Sequence, residues 1–213
     1  MAVWHCKQTG AYGRTSQEAY DNAQLIYGVL YNLGWTLEAV CGVLGNMESE
    51  SGYNPWRWQN DNILATTDIY ELEHQTYHAY GLVQFDPASK YLYNARGYGG
   101  YGPNYSDRQG STFDGQAQIS YINDHADYFI NPYHPEYNLT YEQYKVVSVN
   151  DYTIEWITKC WFWNYERGTW DDGRTNAARY WWTVLGGIDP PTPPTPPGSR
   201  IPIWLLFKLK ERR

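Results

Sequence analysis

The residues best suited to acid–base chemistry lie in the segment 44–59, LGNMESESGYNPWRWQ. Glu48 and Glu50 are two positions apart and directly follow an apolar stretch. In a helix, that spacing turns the two side chains roughly 200° away from each other. The two carboxyl groups therefore cannot act together on one substrate bond, and a second catalytic carboxyl group must come from elsewhere in the chain.

The surroundings of this segment favour a carboxyl group that keeps its proton. The segment is predicted to end a helix, where the negative end of the macrodipole disfavours an anion. Trp56 and Trp58 follow closely, and large aromatic side chains can exclude water from a neighbouring carboxyl group. A carboxylic acid that stays protonated near neutral pH can act as a general acid. From the residues alone, two solvated glutamates at a helix end remain an open alternative.

Metal and cysteine chemistry also have candidate residues. His74 and His78 are one helical turn apart, but Gln75 stands where a zinc peptidase needs glutamate, and no third ligand is evident. A cysteine nucleophile needs an accessible thiolate with a histidine partner. Cys41 and Cys160 lie in apolar runs and are predicted to be buried. We therefore predict no metal site and no other cofactor.

The composition is acidic and rich in tyrosine and tryptophan. The 213 residues carry a net charge of −7 and include 11 Trp, 22 Tyr and 5 Phe. An acidic protein is poorly suited to nucleic acid, because phosphate contacts need a basic surface. Tyr and Trp combine a flat apolar face with a polar group, which suits sugars, although the same residues can fill a core. No stretch has the length of a membrane span, and the N-terminal residues do not resemble a secretory signal.

Apolar residues recur at helical spacing in several segments, and none shows the sustained alternation of an extensive sheet. Ser16 and Thr36 are suited to cap the first two helices, over 16–32 and from 36 to near Gly52. Further helices are predicted over 67–79, 114–130, 153–165 and 176–185. The sequence therefore predicts a mainly α fold, with one helical domain and long irregular loops over residues 1–187.

The composition changes after this domain. Residues 188–200 contain DPPTPPTPP and predict an extended, proline-rich linker. Residues 201–213, IPIWLLFKLKERR, form a short apolar and basic tail peptide. We expect this tail to contact a membrane surface or dock on a partner protein, and to be dispensable for catalysis.

Three motifs occur in a fixed order along the chain: GNMESESGYNPWRWQ, AYGLVQFDPASKY at 79–91, and TIEWITKCWFWNYERG followed by RTNAARYWW. Together they resemble the phage tail-type lysozyme family, which is related to goose-type lysozymes and lytic transglycosylases. The resemblance covers roughly residues 10–186. It implies a lysozyme-like domain that cleaves the β-1,4 bond between N-acetylmuramic acid and N-acetylglucosamine in bacterial peptidoglycan. Attack by water and closure of an internal 1,6-anhydro ring both remain open.

The resemblance also implies roles for individual residues. Glu50, in Glu-Ser-Gly, corresponds to the general acid, so that Glu48 is expected to be a solvated helix-end residue. Glu166 and Arg167 are expected to form a structural ion pair. The residues implied in substrate binding are Tyr53, Trp56, Tyr80, Gly81, Gln84, Phe85 and Tyr165.

A second catalytic carboxylate is not singled out by spacing. Many members of the wider group act without an obvious one. If one exists, its separation from the first predicts inversion or retention of configuration. The candidates are Asp61, Asp68, Glu71, Glu73 and Asp86.

The main alternative is a non-catalytic, lysozyme-like part of a phage tail that serves as a structural or glycan-binding component. The aromatic composition and the tail peptide suit both functions, whereas retention of the acid and of the glutamine motif favours the enzyme. The expected location is the virion tail, or the host at lysis if the chain acts as an endolysin. The expected partners are peptidoglycan and, through the tail peptide, phage tail proteins or a membrane surface.

Overall fold

The computed structural model describes residues 3–7, 9–61, 74, 78–98, 112–125, 129 and 133–186. Helices predominate in these residues, and extended pairing is limited there to isolated bridges at Trp58–Tyr80 and Tyr80–Phe85. The prediction of a mainly α domain is confirmed. Most of the predicted helix over 67–79 lies outside the described residues, as do the linker and the tail peptide.

The α-helices are α1 (Gln17–Asn32), α2 (Leu37–Glu50), α3 (Ser89–Leu92), α4 (Thr112–Asp124), α5 (Tyr141–Lys145), α6 (Ile154–Trp161) and α7 (Gly173–Leu185). Short 3₁₀ turns occupy Gln59–Asp61, Ala95–Tyr98 and Pro135–Tyr137, and a π-helical turn, Phe162–Glu166, directly follows α6. None of the described helices is both long enough and apolar enough to cross a membrane.

The capping residues predicted for the first helices are confirmed. The Ser16 and Thr36 side chains accept hydrogen bonds from the backbone N–H groups of Ala19 and Ala39, at 3.1 and 3.3 Å. A serine or threonine at this position satisfies one of the backbone donors that the first helical turn leaves unpaired.

Several helix boundaries differ from those predicted. The helix predicted over 153–165 is α-helical only over Ile154–Trp161 and continues as the π-helical turn Phe162–Glu166. Helix α4 ends at Asp124 rather than near residue 130, and the His125 ring nitrogen Nδ1 lies 2.7 Å from the Tyr121 carbonyl oxygen, which the helix leaves without an internal partner. Helix α7 begins at Gly173, three residues earlier than predicted, because the Asp171 carboxylate accepts the Gly173 N–H at 2.9 Å. The short helices α3 and α5 were not predicted.

Helix α2 forms the centre of the domain. It packs most extensively against α7 and α6, and also contacts α1, and all its residues from Ala39 to Met47 are buried. Two glycines permit this packing. A Cβ atom on Gly45 would lie 2.5 Å from the Arg174 carbonyl oxygen in α7, and one on Gly42 would lie 2.9 Å from the Ile157 side chain in α6. The missing side chains therefore set how closely the helices approach.

Many of the large aromatic side chains in the described residues are buried inside the domain. Trp35 is buried, and its ring contacts those of Tyr141, Tyr144 and Trp161 at centroid distances of 5.7, 6.1 and 6.1 Å. Its indole N–H donates to Asn123 at 2.9 Å. Tyrosine and tryptophan can fill a core in this way when their polar groups find partners.

The close approach of α2 to α7 predicts that Gly45→Val destabilises the protein. The added side chain must displace the Arg174 carbonyl, and a backbone group cannot rotate away as a side chain can. Overpacking of this kind costs about 1–3 kcal/mol, measured as the free energy of unfolding in urea. Gly13→Val is the control, because no atom lies within 4 Å of a Cβ at Gly13. Equal stability of the two variants would contradict this account of the helix contact.

Candidate active site

Helix α2 presents both glutamates of the acidic segment at its C-terminus. The helix ends at Glu50, and Gly52 adopts a left-handed φ of +57° while its N–H bonds to the carbonyl oxygens of Met47 and Glu48. The prediction that the helix ends near Gly52 is therefore confirmed. Ser51 Oγ donates to the Leu82 carbonyl oxygen at 2.8 Å. This bond joins the end of α2 to the turn at residues 80–85.

Glu48 is held through both of its carboxylate oxygens. Arg14 binds it in bidentate fashion, with Nε and Nη2 each 2.5 Å from an oxygen. The Tyr53 hydroxyl donates to Glu48 Oε2 at 2.7 Å and accepts the Trp181 indole N–H at 2.7 Å. The expectation of a merely solvated glutamate is therefore wrong, because a bidentate arginine and a buried tyrosine fix this carboxylate.

Tyr53 contributes to this arrangement from a fully buried position. Its backbone takes a φ of +60°, and its carbonyl oxygen accepts the Asn22 side-chain amide at 2.8 Å. Burial, with a smaller contribution from the Glu48 charge, raises the pKa of Tyr53 well above its usual value. The hydroxyl group therefore stays protonated and remains a donor to Glu48.

Glu50 is held through one oxygen only. Arg174 Nη2 lies 2.6 Å from Glu50 Oε1, and the two side chains are 7% and 21% exposed. Arg174 Nη1 also donates to Asn46 Oδ1 at 3.1 Å, and the guanidinium group lies 4.8 Å from the centre of the Phe162 ring. Within the described part of the chain, Glu50 Oε2 forms no hydrogen bond. This oxygen is uncommitted at the end of the helix.

Glu166 is the residue whose role was predicted least well. The predicted ion pair with Arg167 is not among the ion pairs of the described residues, and Arg167 lies exposed at the end of the π-helical turn with a φ of +57°. Glu166 Oε1 instead accepts the Trp161 indole N–H at 3.1 Å. Burial of its carboxyl group, then the negative charge of Glu50, raises the pKa of Glu166 well above its usual value, although Trp161 and Arg174 oppose the shift.

The turn at residues 80–85 is closed by its own backbone. Tyr80 and Phe85 exchange N–H to carbonyl bonds at 3.2 and 2.8 Å. The Gln84 side-chain amide donates to the carbonyl oxygens of Arg57 and Gly81, both at 3.0 Å. Among the described residues, the Gln84 side-chain oxygen accepts no hydrogen bond. Gln84 therefore keeps an acceptor available beside the turn.

Gln118, in α4, supports this turn and was not predicted as a site residue. The side chain is fully buried, its oxygen accepts the Leu82 N–H at 2.8 Å, and its amide donates to the Pro55 carbonyl oxygen at 2.6 Å. Gly81, with a φ of +86°, leaves the space that Gln118 occupies. The available signal was a glutamine among the apolar, core-facing positions of a helix, since a buried amide needs partners.

The predicted substrate-binding residues divide into two groups. Tyr165 and Gln84 are partly exposed, and the Tyr165 ring stacks on Trp161 with centroids 4.3 Å apart. The others are buried beneath or behind the site: Tyr53, Trp56, Tyr80, Gly81 and Phe85. Tyr80, for example, lies 4.9 Å from Trp58, ring centre to ring centre.

Two of the five candidates for a second carboxylate, Asp61 and Asp86, lie in the described residues. Asp61 accepts the Gly10 N–H at 2.7 Å and Arg57 Nε at 3.1 Å, and the Gly10 bond is the first cause that lowers the pKa of this carboxyl group. Asp86 is exposed beside the turn. Asp68, Glu71 and Glu73 lie outside the described residues.

The other chemistries that the sequence suggested are not assembled in the described residues. No group of three His, Cys, Asp or Glu side chains suited to a metal ion occurs there. Cys41 and Cys160 are buried free thiols, as predicted, and burial raises the pKa of Cys160 to about 12. A thiol that resists ionisation is a poor nucleophile.

Comparisons with known proteins identify a family and a relative. The family described as phage tail lysozyme matches the chain over residues 21–185. Morphogenesis protein 1 of Bacillus phage B103 is 32% identical over 179 residues, which cover 80% of this chain. The same alignment covers 41% of the phage B103 protein, so the chain spans about two fifths of that relative's length.

The two hydrogen bonds of Gln118 predict that Gln118→Leu loosens the turn at residues 80–85. The change leaves the Leu82 N–H and the Pro55 carbonyl without their partner, and a buried unpaired polar group costs about 1–3 kcal/mol. Gln116→Leu is the matched control, because the buried Gln116 side-chain oxygen has no hydrogen-bond partner. Denaturant unfolding compares the variants. The assigned role requires only Gln118→Leu to lose stability, and an equal loss in both would refute it.

Proposed function

Because the chain belongs to the phage tail lysozyme family, we propose that it cleaves the β-1,4 bond between N-acetylmuramic acid and N-acetylglucosamine in peptidoglycan, with Glu50 as general acid. One observation carries the choice of residue. Glu50 has one oxygen on Arg174 and the other uncommitted, whereas Glu48 has both oxygens engaged by Arg14 and Tyr53. A proton donor needs an oxygen free to reach the substrate.

The proposed step transfers a proton from the Glu50 carboxyl group to the glycosidic oxygen. The electrons of the breaking C–O bond remain on that oxygen, and the sugar carbon takes on oxocarbenium character. Water then adds its hydroxyl to the carbon and releases a proton that restores the acid. In the transglycosylase form of the reaction, the sugar's own 6-hydroxyl attacks instead and releases that proton. Arg174 stabilises the carboxylate that donation leaves on Glu50.

The turn at residues 80–85 and the π-helical turn supply the proposed substrate contacts. The uncommitted side-chain oxygen of Gln84 can accept a hydrogen bond from a sugar hydroxyl or an acetamido N–H. The partly exposed side chain of Tyr165 offers the apolar surface of its ring. The buried residues of the predicted set, Tyr53, Trp56, Tyr80, Gly81 and Phe85, act by holding these segments in place.

Glu50→Gln is expected to abolish cleavage of purified cell walls. Glutamine keeps an oxygen that can accept from Arg174 but has no acidic proton to transfer to the glycosidic oxygen. Loss of the general acid should lower the rate about 10²–10⁴-fold, measured as clearing of a wall suspension and release of reducing ends. Sedimentation with walls should show that the variant still binds them.

Glu48→Gln is the matched control for this experiment. The substitution is the same and lies two residues away, but it weakens the contact with Arg14 and Tyr53, so the expected loss is in stability rather than in turnover per folded molecule. Substantial wall cleavage by Glu50→Gln, or selective loss of turnover in Glu48→Gln, would overturn the assignment.

The bond that is cut provides a separate test. Products should be disaccharide–peptide fragments, with stem peptides still attached to the glycan. Mass spectrometry of a digest distinguishes these fragments from freed peptides, and a product lighter by one water identifies the 1,6-anhydro form. New amino groups without shortening of the glycan strands would instead indicate a peptidase.

A second function is favoured by the relative in phage B103, which is named a morphogenesis protein. On this view the domain is a structural or glycan-binding part of a phage tail, and its place is the virion. Purified wild-type protein that binds cell walls without cleaving any glycosidic bond would support this function over the first.

A further inference from the structure

A group of partly exposed aromatic side chains lies on and beside α6, the π-helical turn and the 3₁₀ turn at Pro135–Tyr137. The proposed hydrolysis uses none of these side chains. Each of them keeps part of its surface open to solvent, in contrast to the buried rings of the core. We call this group the aromatic strip, and it consists of Tyr152, Trp156, Tyr137, His134, Trp163 and Trp170.

The rings of the strip contact one another in succession. Tyr152 stacks on Trp156 with centroids 4.0 Å apart, and Trp156 lies 5.4 Å from Tyr137. Tyr137 lies 6.3 Å from His134, whose ring stacks on Trp163 at 3.8 Å. The strip is therefore a continuous, linear series of rings rather than a set of scattered aromatic residues.

The strip is joined to the candidate active site through one buried side chain. Phe162 contacts Trp163 and Trp170 at centroid distances of 4.7 and 5.3 Å. The same ring lies 4.8 Å from the Arg174 guanidinium group, and Arg174 Nη2 lies 2.6 Å from Glu50. The strip and the ion pair of the candidate general acid therefore share Phe162 as a support.

Hydrogen bonds fix several members of the strip before any ligand binds. The Trp170 indole N–H donates to Asp172 Oδ1 at 2.8 Å, and the Asn164 side-chain amide donates to the Tyr137 carbonyl oxygen at 3.0 Å. Lys159 Nζ lies 5.4 Å from the centre of the Trp170 ring. A surface that is ordered in advance loses little conformational entropy when it binds a ligand.

The polar groups of the strip suit an uncharged, hydroxylated ligand. Within the described residues, the hydroxyl groups of Tyr137 and Tyr152 and the indole N–H of Trp156 form no hydrogen bond. The charges beside them are paired, as in the 2.7 Å contact between Glu155 and Lys159. Sugar rings with equatorial substituents present apolar C–H faces that can lie on aromatic rings, while their hydroxyl and acetamido groups can bond to these polar groups.

We propose that the aromatic strip is a second glycan-binding surface, which holds a β-1,4-linked N-acetylhexosamine strand of peptidoglycan outside the candidate active site. The linear order of the rings matches a linear polymer, and their link to the site through Phe162 places the strip beside the proposed point of cleavage. The choice of peptidoglycan rests on the proposed function, whereas binding to the strip requires no cleavage. The strip retains the domain on the wall and takes no part in the chemistry.

The first test follows the indole N–H signals of the full-length chain by ¹⁵N NMR. The probe is chitohexaose, a soluble hexamer of β-1,4-linked N-acetylglucosamine, and the Glu50→Gln variant is used so that the probe is not cut. The signals of Trp156, Trp163 and Trp170 should shift on titration, whereas that of Trp182, which is 37% exposed in α7, should stay in place. Unmoved strip signals would overturn the proposal. Shifts with anionic phospholipid vesicles but not with the hexamer would assign the strip to a membrane and would also overturn it.

The second test removes single rings of the strip. Trp163→Ala and Tyr152→Ala should each raise the Kd for chitohexaose about fivefold or more, measured by calorimetry. Trp182→Ala and Tyr31→Ala are the matched controls, because they remove exposed rings of the same two types that make no ring contact with the strip in the described structure. Unchanged affinity in both strip variants, or equal losses in the controls, would refute the proposal. Urea unfolding checks that each variant is folded, and the NMR test decides the matter if a strip variant is not.

Cleavage assays separate this proposal from the proposed function. In the otherwise wild-type chain, Trp163→Ala should raise KM on insoluble walls and leave kcat on short soluble wall fragments unchanged. A loss of kcat on the short fragments would place the strip in the catalytic machinery and contradict its assignment. If the wild type cleaves walls but the strip does not bind the hexamer, this proposal fails and the proposed function stands. If the strip binds the hexamer and the wild type cleaves no glycosidic bond, the proposed function fails and the glycan-binding surface stands.

Discussion

The ion pair between Glu50 and Arg174 depends on the close approach of α2 and α7. Gly45 lies where α7 passes, and a Cβ atom there would meet the Arg174 carbonyl oxygen at 2.5 Å. The absence of that atom lets the start of α7 lie against the end of α2, so that a guanidinium group in one helix reaches a carboxylate in the other. The π-helical turn carries Glu166, whose pKa is raised by burial and by the charge of Glu50 and lowered by the charge of Arg174. The charges of the site are thus set by a packing distance between helices.

Two glutamates of one segment have different environments because they leave the helix in different directions. Both oxygens of Glu48 accept hydrogen bonds: from Arg14 in the N-terminal segment and from Tyr53 in the core. Glu50 meets α7 and keeps one oxygen uncommitted. A fully bound carboxylate stabilises the fold, whereas a half-bound one can exchange a proton with a ligand. Under the proposed function, this difference separates a structural acid from a catalytic one.

Buried polar side chains connect the turns around the site to the helical core. The Gln118 side chain forms hydrogen bonds with the backbone of both Pro55 and Leu82. Ser51, directly after α2, also forms a hydrogen bond with the backbone of Leu82. Asn54, the asparagine of the Asn-Pro pair, donates to the carbonyl oxygens of Lys7 and Gly10 at 2.8 and 2.9 Å. These bonds replace regular secondary structure in a region that has little of it. They therefore determine where Gln84 and the end of α2 lie relative to each other.

The sequence by itself determined the local features of this protein. Helical periodicity and the capping residues Ser16 and Thr36 were sufficient to predict α1 and α2, because both signals act over a few neighbouring residues. The order of three motifs was sufficient to identify the family. The burial of Cys41 and Cys160 was predicted correctly from their apolar neighbours in sequence. The opposed directions of Glu48 and Glu50 also followed, since they depend only on helix geometry.

Only the tertiary structure decided which groups those side chains meet. Arg14, Arg174 and Gln118 lie 34, 124 and 36 positions from their partners Glu48, Glu50 and Leu82, so no local pattern relates them. The ion pair predicted between Glu166 and Arg167 rested on adjacency in sequence, whereas the hydrogen bond that the structure gives Glu166 is with Trp161. The role of each carboxyl group depends on burial and on charges brought from distant helices, and these exist only once the chain has folded.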